Sequence, residues 1–458
     1  MTFYCGLLIL VLLLGLSSGY PVALVLGGAS ILVASIGLLT GHFDPIFFYV
    51  LPERFYGIMN NESLIAIPLF VLMGVILEKS DLAKELLNTM GDLSGGGKTS
   101  LSLSVFFVGA LLAASTGIVG ATVVTMGLIS LPSLLEKKVS PKKAAGIVAA
   151  SGTLGQIIPP SIVLIILGDV ISTANQEAQL DQGVFKTTAV SVGDLFAGAL
   201  IPGFMLVTLY MLYVFFSELL SSSRHKENPN EYLIVKPSWS KIFSALIPPI
   251  VLVLLVLGSI LFGVATPTEA ASVGVIGSLA LSFFKKKLDF NSFIDCLDQT
   301  IITTSMVFLI LIGANILSIV FRGFEGDELV HSLLSSLGTE PFWAFAVVMA
   351  MIFFLGFFLD FFEITFVVVP LVGPTLISMG YDPVWLGVMI ALNLQTSFLT
   401  PPFGFSLFYL RGVAPKEIKT SDIYSGVVPF IIIQILMLGL LYSFPQMALA
   451  LPRIIFGS

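Results

Sequence analysis

The sequence predicts an all-α polytopic membrane protein, built as an inverted repeat with two re-entrant helical hairpins. Three observations carry that expectation. The chain is too apolar for water: 56% of its 458 residues are hydrophobic and 11% are charged, its mean hydropathy is +1.03, and a soluble domain carries about 25% charged residues. Long apolar runs, each near the roughly 20 residues of a spanning helix, recur from end to end. The two halves also carry the same uncommon signals at one constant offset.

Taken in order, the runs read as crossings at 3–17, 20–40, 61–79, 144–171, 194–220, 241–263, 266–284, 300–322, 384–410 and 421–444. The first has no Lys or Arg before it and no small-x-small cleavage signal after it, so it reads as a retained helix rather than a leader. Two further runs, 99–135 and 340–379, are broken near the middle, one by Ala113-Ala114-Ser115-Thr116-Gly117, the other by Gly356 and Asp360, then Glu363. Breaks in lipid leave backbone groups unpaired unless protein or a wet cavity surrounds them. Both runs therefore read as hairpins, with two antiparallel spans as the alternative. Segments 80–98, 287–299 and 325–338 mix acids with Leu and Phe and suit helices lying in the interface. Segments 172–193 and 221–240 read as an external and an internal polar loop.

Charge sets the orientation. Basic clusters at 137–143, 224–241, 285–287 and 411–419 are taken as cytoplasmic, and Lys79, Lys84 and Lys98 then fall inside as well. Only Arg54, Lys186, Arg322 and Arg453 fall outside, which leaves 21 − 4 = 17 of the basic residues inside. The threading closes only if 99–135 and 340–379 each return to their own side, and it puts both termini outside.

The repeat shows in matched prolines. Pro159-Pro160 and Pro401-Pro402 are 401 − 159 = 242 apart, and Pro132 maps onto Pro374 at the same offset. Asn61–Lys79 then maps onto Thr303–Phe321, while Pro21 and Pro267 open Gly-containing helices at nearly the same spacing. Equivalent crossings run in opposite directions, so the repeat is inverted, and such repeats bind cargo near the midplane and alternate access around it.

Chemistry concentrates in two runs inside apolar crossings, Ser151–Ser161 and Asn393–Gly404. Paired prolines remove two donors and break the helix. Freed carbonyls with Ser, Thr, Asn and Gln oxygens suit a hard cation, and half-helix N-termini suit an anion. The natural assignment is a sodium ion at each break and an anionic substrate between them; the plainer alternative is that the prolines only kink packed helices. Pro159, Pro160, Ser161, Asn393, Gln395, Pro401 and Pro402 are the substrate-path candidates. Asp360 reads as a cation ligand or a helix cap, Glu363 as a cap or gate. Arg411 reads as a positive-inside anchor that could also attract a carboxylate.

Several classes are excluded. Net charge is −7 and no basic stretch is interleaved with aromatics, so no nucleic-acid partner is expected. Cys5 and Cys296 make no disulfide framework. His42, His225 and His331 are scattered, and no Walker loop is present, so neither an enzyme nor an ATP motor is expected, and no cofactor.

Ile67-Pro68-Leu69-Phe70-Val71-Leu72-Met73-Gly74, Gly152-Thr153-Leu154-Gly155 with Ile158-Pro159-Pro160-Ser161, Ser191-Val192-Gly193-Asp194-Leu195-Phe196, Pro267-Thr268-Glu269-Ala270-Ala271 and Thr400-Pro401-Pro402 with Gly404 complete the motif set. Together they make the chain resemble, over nearly its whole length, the large membrane (M) subunit of tripartite ATP-independent periplasmic (TRAP) transporters, within the ion-transporter superfamily. The resemblance implies a sodium-driven importer of carboxylates in the bacterial inner membrane, with an elevator-type transport domain sliding on a scaffold. It implies two partners: a separate small four-helix membrane (Q) subunit and a periplasmic substrate-binding (P) protein. A standalone sodium–carboxylate symporter or ion antiporter of the same superfamily is the alternative.

Carried over by position, one sodium cage comprises Ser115, Thr116, Gly117, Gly152 and Gly155, and the other Gly356, Asp360, Thr396 and Thr400. The implied organisation is repeat-1 scaffold at 1–60, transport half 1 at 61–171, connecting segments at 172–240, repeat-2 scaffold and arm at 241–299, transport half 2 at 300–412 and a C-terminal helix at 413–458. The loops at 172–193 and 221–240 are longer than the compact family pattern, and the first sits where a binding protein would dock.

Overall fold

A computed structural model describes residues 2–80, 82–93, 97–116, 119–222, 239–338 and 340–457. Among these there are helices and no strands. Repeat 1 begins with α1 (Thr2–Ser17) and α2 (Val22–Leu39). A 3-10 turn, Pro45–Val50, leads into α3 (Leu51–Met59), which the sequence reading left unassigned. Next come α4 (Glu62–Lys79) and the amphipathic α5 (Leu82–Leu93). The first hairpin is α6 (Lys98–Thr116) and α7 (Val119–Glu136). The first broken helix is α8 (Pro141–Gly152), a 3-10 turn Thr153–Gln156 and α9 (Ile162–Asp181), and α10 (Val192–Ser222) closes the half.

Repeat 2 follows the same order: α11 (Trp239–Leu261), α12 (Pro267–Phe284), α13 (Phe290–Gly323) and the short α14 (Gly326–Ser335). The second hairpin pairs α15 (Pro341–Leu355) with a rod made of α16 (Phe361–Glu363), a π-helical stretch Ile364–Val368 and α17 (Val369–Ser378). The second broken helix is α18 (Pro383–Leu399) and α19 (Phe405–Val413). α20 (Thr420–Ser443) and an additional short helix, α21 (Gln446–Phe456), end the chain. Among the described residues, eight helices are long and apolar enough to cross a membrane unaided.

The offset of 242 is obeyed element by element. Pro141 and Pro383 both stand at the first helical position, preset for it by their fixed φ, behind the matched caps Ser140 and Asp382. The rods Val119–Glu136 and Phe361–Ser378 begin and end 242 apart. Packing is exchanged between halves, as a twofold axis requires. α2 lies on α13 while α12 lies on α4, and α7 touches α19 while α9 touches α17. Gln395 reaches Thr153 at 3.4 Å. These two are counterparts at that offset, and a residue meets its own counterpart only beside the axis.

Two boundaries differ from the sequence reading. The interfacial segment expected at 287–299 is continuous with the crossing after it, in one 34-residue helix capped by Asp289, whose carboxylate accepts from Ser292 N at 3.1 Å. No Gly or Pro stands between residues 290 and 312 to break it. The external loop expected from 172 is helical to Asp181, leaving 182–191 as the connection. Polar Ser172–Gln179 read as loop, yet Asn175 and Gln179 bind Thr188 and fold the connection back onto the helix. Most of the internal loop 221–240 lies outside the described residues.

Helices α4 and α13, placed with the transport halves by the sequence reading, have their broadest contacts with α12 and α2. Two packing groups result. One holds α1, α2, α4 and α11–α13; the other holds both hairpins and both broken helices. α5 touches both groups: its broadest contact is with α6 of the first hairpin, and Glu85 takes Lys285, just past the end of α12, at 2.6 Å.

Candidate functional site

Each Pro-Pro break sits about halfway along a crossing, and each is repaired locally. Pro159 and Pro160 offer no N–H, so the Gly155 carbonyl accepts instead from Ser161 Oγ at 2.7 Å, while the Leu154 carbonyl takes both Ile157 N and Ile158 N. In the second half the Phe398 carbonyl accepts from Ser406 Oγ at 2.6 Å, and the Ser397 and Thr400 carbonyls accept from Thr400 N and Gly404 N. Both Pro-Pro peptide bonds are cis. Gly404 is required by crowding: a Cβ there would stand 2.9 Å from the Phe398 carbonyl carbon and 3.0 Å from Thr400 N. Ser406 was not singled out from the sequence. Its signal is a hydroxyl just past a Pro-Pro break, able to reach back to an orphaned carbonyl. Ser406→Ala is expected to cost about 1 kcal/mol, because a buried carbonyl loses its donor; the thermal melting midpoint of the purified protein in detergent measures it.

The hairpins meet these breaks. In the first half Gly109 of α6 faces Ser151, and Val123 of α7 packs on Gly152. In the second half α18 grips α15 by two rungs one turn apart. Asn393 Nδ2 donates to the Met349 carbonyl at 2.8 Å, and Ser397 Oγ donates to the Phe353 carbonyl at 2.7 Å. Gly356 lies directly on Ser397, and the rings of Phe357 and Phe358 meet Phe403. In the second half the tip rests on a break halfway along a crossing, the placement of a re-entrant hairpin; in the first, α6 and α7 flank the matching break, and the tip lies outside the described residues.

Asp360 opens the return arm as its cap, accepting from Phe361 N at 2.7 Å, and Glu363 reaches back to accept from Asp360 N at 2.9 Å. The pair forms a reciprocal capping box. Thr396 and Thr400 direct their hydroxyl hydrogens to the Leu392 and Thr396 carbonyls, which leaves oxygen lone pairs for another partner. Gly356 thus meets α18 at Ser397, beside Thr396 and one turn before Thr400, while Asp360 stands four residues further on at the start of the return arm. Gly152 and Gly155 stand at the matching junction of the first half; the side chains of Ser115 and Thr116, and all of Gly117, lie outside the described residues. Among the described residues no group of three His, Cys, Asp or Glu converges on one point. The oxygens available are hydroxyls, carbonyls and one carboxylate, a set suited to a hard cation of low charge.

Of the substrate-path candidates, Asn393 and Gln395 are buried, tied to α15 and to Thr153 respectively. Ser161, also buried, is tied to Gly155. Pro159, Pro160, Pro401 and Pro402 form the breaks. Arg411 donates to the Ile418 carbonyl at 2.7 Å, anchoring the end of α19.

A family model described as the DctM component of tripartite ATP-independent periplasmic transporters matches residues 7–447. The chain belongs to this family. The permease is 27% identical over 413 residues to the sialic acid TRAP transporter large permease protein SiaM of Vibrio cholerae serotype O1, covering 88% of this chain and 90% of that one. It is 26% identical over 476 residues to the C4-dicarboxylate TRAP transporter large permease protein DctM of the same organism, covering 98% of each. It is 27% identical over 404 residues to the isethionate TRAP transporter permease protein DctMQ of Oleidesulfovibrio alaskensis, spanning 88% of this chain and 59% of that one. Its fold matches the crystal structure of the Alcanivorax borkumensis YdaH transporter with a TM-score of 0.63 at 14% identity, over 88% of this chain and 89% of that chain. The permease is a multi-pass component of a three-part transporter, not an enzyme.

Proposed function

We propose that the permease imports a small organic acid into the bacterial cytoplasm, driven by sodium, by an elevator motion of the hairpin group against the α1, α2, α4 and α11–α13 group. One observation carries this reading: two Pro-Pro breaks, related by a pseudo-twofold axis, each closed by a hairpin and each edged with hydroxyl and carbonyl oxygens. A twofold pair of equivalent junctions supports two sodium sites with an anion between them, at the depth where inverted-repeat transporters bind cargo. The relatives named above are designated for sialic acid, C4-dicarboxylates and isethionate, all organic acids, which supports the substrate class. The positive-inside distribution supports an inner-membrane location with both termini periplasmic. A separate small membrane subunit and a periplasmic substrate-binding protein complete the assembly.

In proteoliposomes, uptake is expected only with a sodium gradient, the small subunit and the binding protein together. Full-rate uptake by this chain alone would overturn the tripartite reading. Uptake unchanged when potassium replaces sodium would overturn the coupling.

A further inference from the structure

Two of the four arginines and lysines on the outer face, Arg54 and Arg322, line one cavity. It measures about 330 Å³ and lies between α3, α4 and α13 on one side and α9 and the second hairpin's return arm on the other. It therefore sits in the seam between the two packing groups. Its volume is at the low end of small-molecule sites, large enough for a small organic acid. Asn315, Ser318 and Thr173 also line it, as do three acids, Glu53, Asp169 and Glu177, of which Asp169 is held by Asn61 and Glu177 by Arg322.

The two arginines are differently engaged. Arg322, at the end of α13, gives Nη2 to both Glu177 oxygens, each at 2.7 Å, and its Nε stands 3.2 Å from Asp327 of α14. Among the described residues its Nη1 has no hydrogen-bond partner, and its buried Nε has none of good geometry. Arg54 is exposed and makes no ion pair with any described residue. Glu177 belongs to α9, so the Arg322–Glu177 pair bridges the two groups. A second bridge runs beside it, from Asn61 Nδ2 at the start of α4 to Asp169 of α9 at 2.7 Å. The counterparts of Arg322 and Glu177 at the inner end, 242 residues away, are Ser80 and Lys419, so this pair is not repeated by the pseudo-symmetry.

We propose that this cavity is a second, entry-side site for the anionic substrate, in which the substrate's acid group displaces Glu177 from Arg322 and is held by Arg322 and Arg54. Glu177 stands in for the substrate until it arrives. A guanidinium pairs with any planar carboxylate or with a sulfonate by the same forked donors, so the exchange trades one anion for another without stripping the arginine. Displacement also frees α9 from α13, so arrival of substrate loosens the seam along which the two groups must slide. The inference rests on the organic-acid reading above and adds to it a site on the entry route.

The test uses the assembled three-part transporter in proteoliposomes, with succinate, N-acetylneuraminate and isethionate as probes. Whichever is imported is then titrated against the variants. Arg322→Gln and Arg54→Gln are each expected to raise the half-saturating concentration, by about tenfold for Arg322→Gln, the scale of a lost charge-assisted pair. Glu177→Gln is expected to lower it severalfold, because the substrate no longer competes with a resident carboxylate. A structural ion pair gives the opposite pattern: Glu177→Gln and Arg322→Gln then impair transport alike, and that result overturns the entry site while leaving the transport reading intact. Import of none of the three probes by the wild-type assembly overturns the organic-acid reading itself.

Discussion

Leucine in place of Gly146 is expected to leave little correctly folded permease. Gly146 of α8 and Gly426 of α20 bring two helix backbones together: a Cβ on Gly146 would stand 2.6 Å from the Gly426 carbonyl carbon, and one on Gly426 would stand 3.0 Å from Gly146 N. The atoms in the way are backbone, so no rotamer change makes room. Small residues permit this approach, and in lipid, where no hydrophobic drive acts between helices, close packing carries much of the association. Overpacking costs about 1–3 kcal/mol in ordinary cores; here the cost falls at the upper end or beyond, because α8 also leads into the first Pro-Pro break. The monodisperse fraction on size exclusion and the melting midpoint in detergent read it. Gly439→Ala in the same α20 is the control. Nothing lies within 4 Å of a Cβ there, and alanine in a helix interior gains about 0.5–1 kcal/mol over glycine.

Sodium should raise the melting midpoint of the wild-type permease, and Asp360→Ala and Thr400→Val should each remove much of that rise. A ligand at a hundredfold its dissociation constant stabilises by about 2.7 kcal/mol, so the effect is large enough to read directly. Asp360→Asn separates the two roles of this residue. Asparagine caps a helix as well as aspartate, so the bond from Phe361 N survives while the charge is gone. If Asp360 helps hold sodium, Asp360→Asn loses the sodium-dependent rise but keeps the sodium-free stability. If Asp360→Asn retains the full rise, the carboxylate is a cap alone and the second cage lacks it. Potassium in place of sodium controls for ionic strength.

Much of the fold was legible because its signals are local. A run of apolar residues needs no partner to be read as a span, and a lysine cluster needs none to mark the cytoplasmic face. The prolines at 159, 160, 401 and 402 break helices by their own covalent geometry, so both breaks were placed before any contact was known. What stayed hidden depends on neighbours. α13 runs unbroken from Phe290 to Gly323, where amphipathic character suggested a separate arm. α9 reaches Asp181 because Asn175 and Gln179 find Thr188, a tertiary match that polarity alone reads as loop. Asn393, a candidate for the substrate path, turned out to be bonded to α15; a buried amide looks the same in sequence whether it faces cargo or a carbonyl.

The sequence by itself therefore determined the class of molecule, its family, the number and place of its breaks and the existence of two related halves. These rest on composition, covalent geometry and a repeat, which are properties of the chain before it folds. The tertiary structure alone decided that counterparts cross over, α2 onto α13 and α12 onto α4, and which hydroxyl repairs which orphaned carbonyl. It alone set Arg54 and Arg322, far apart in the chain, on one cavity facing Glu177. Those outcomes depend on how helices pack in three dimensions, where side chains remote in sequence become neighbours and a bond forms only if both partners arrive.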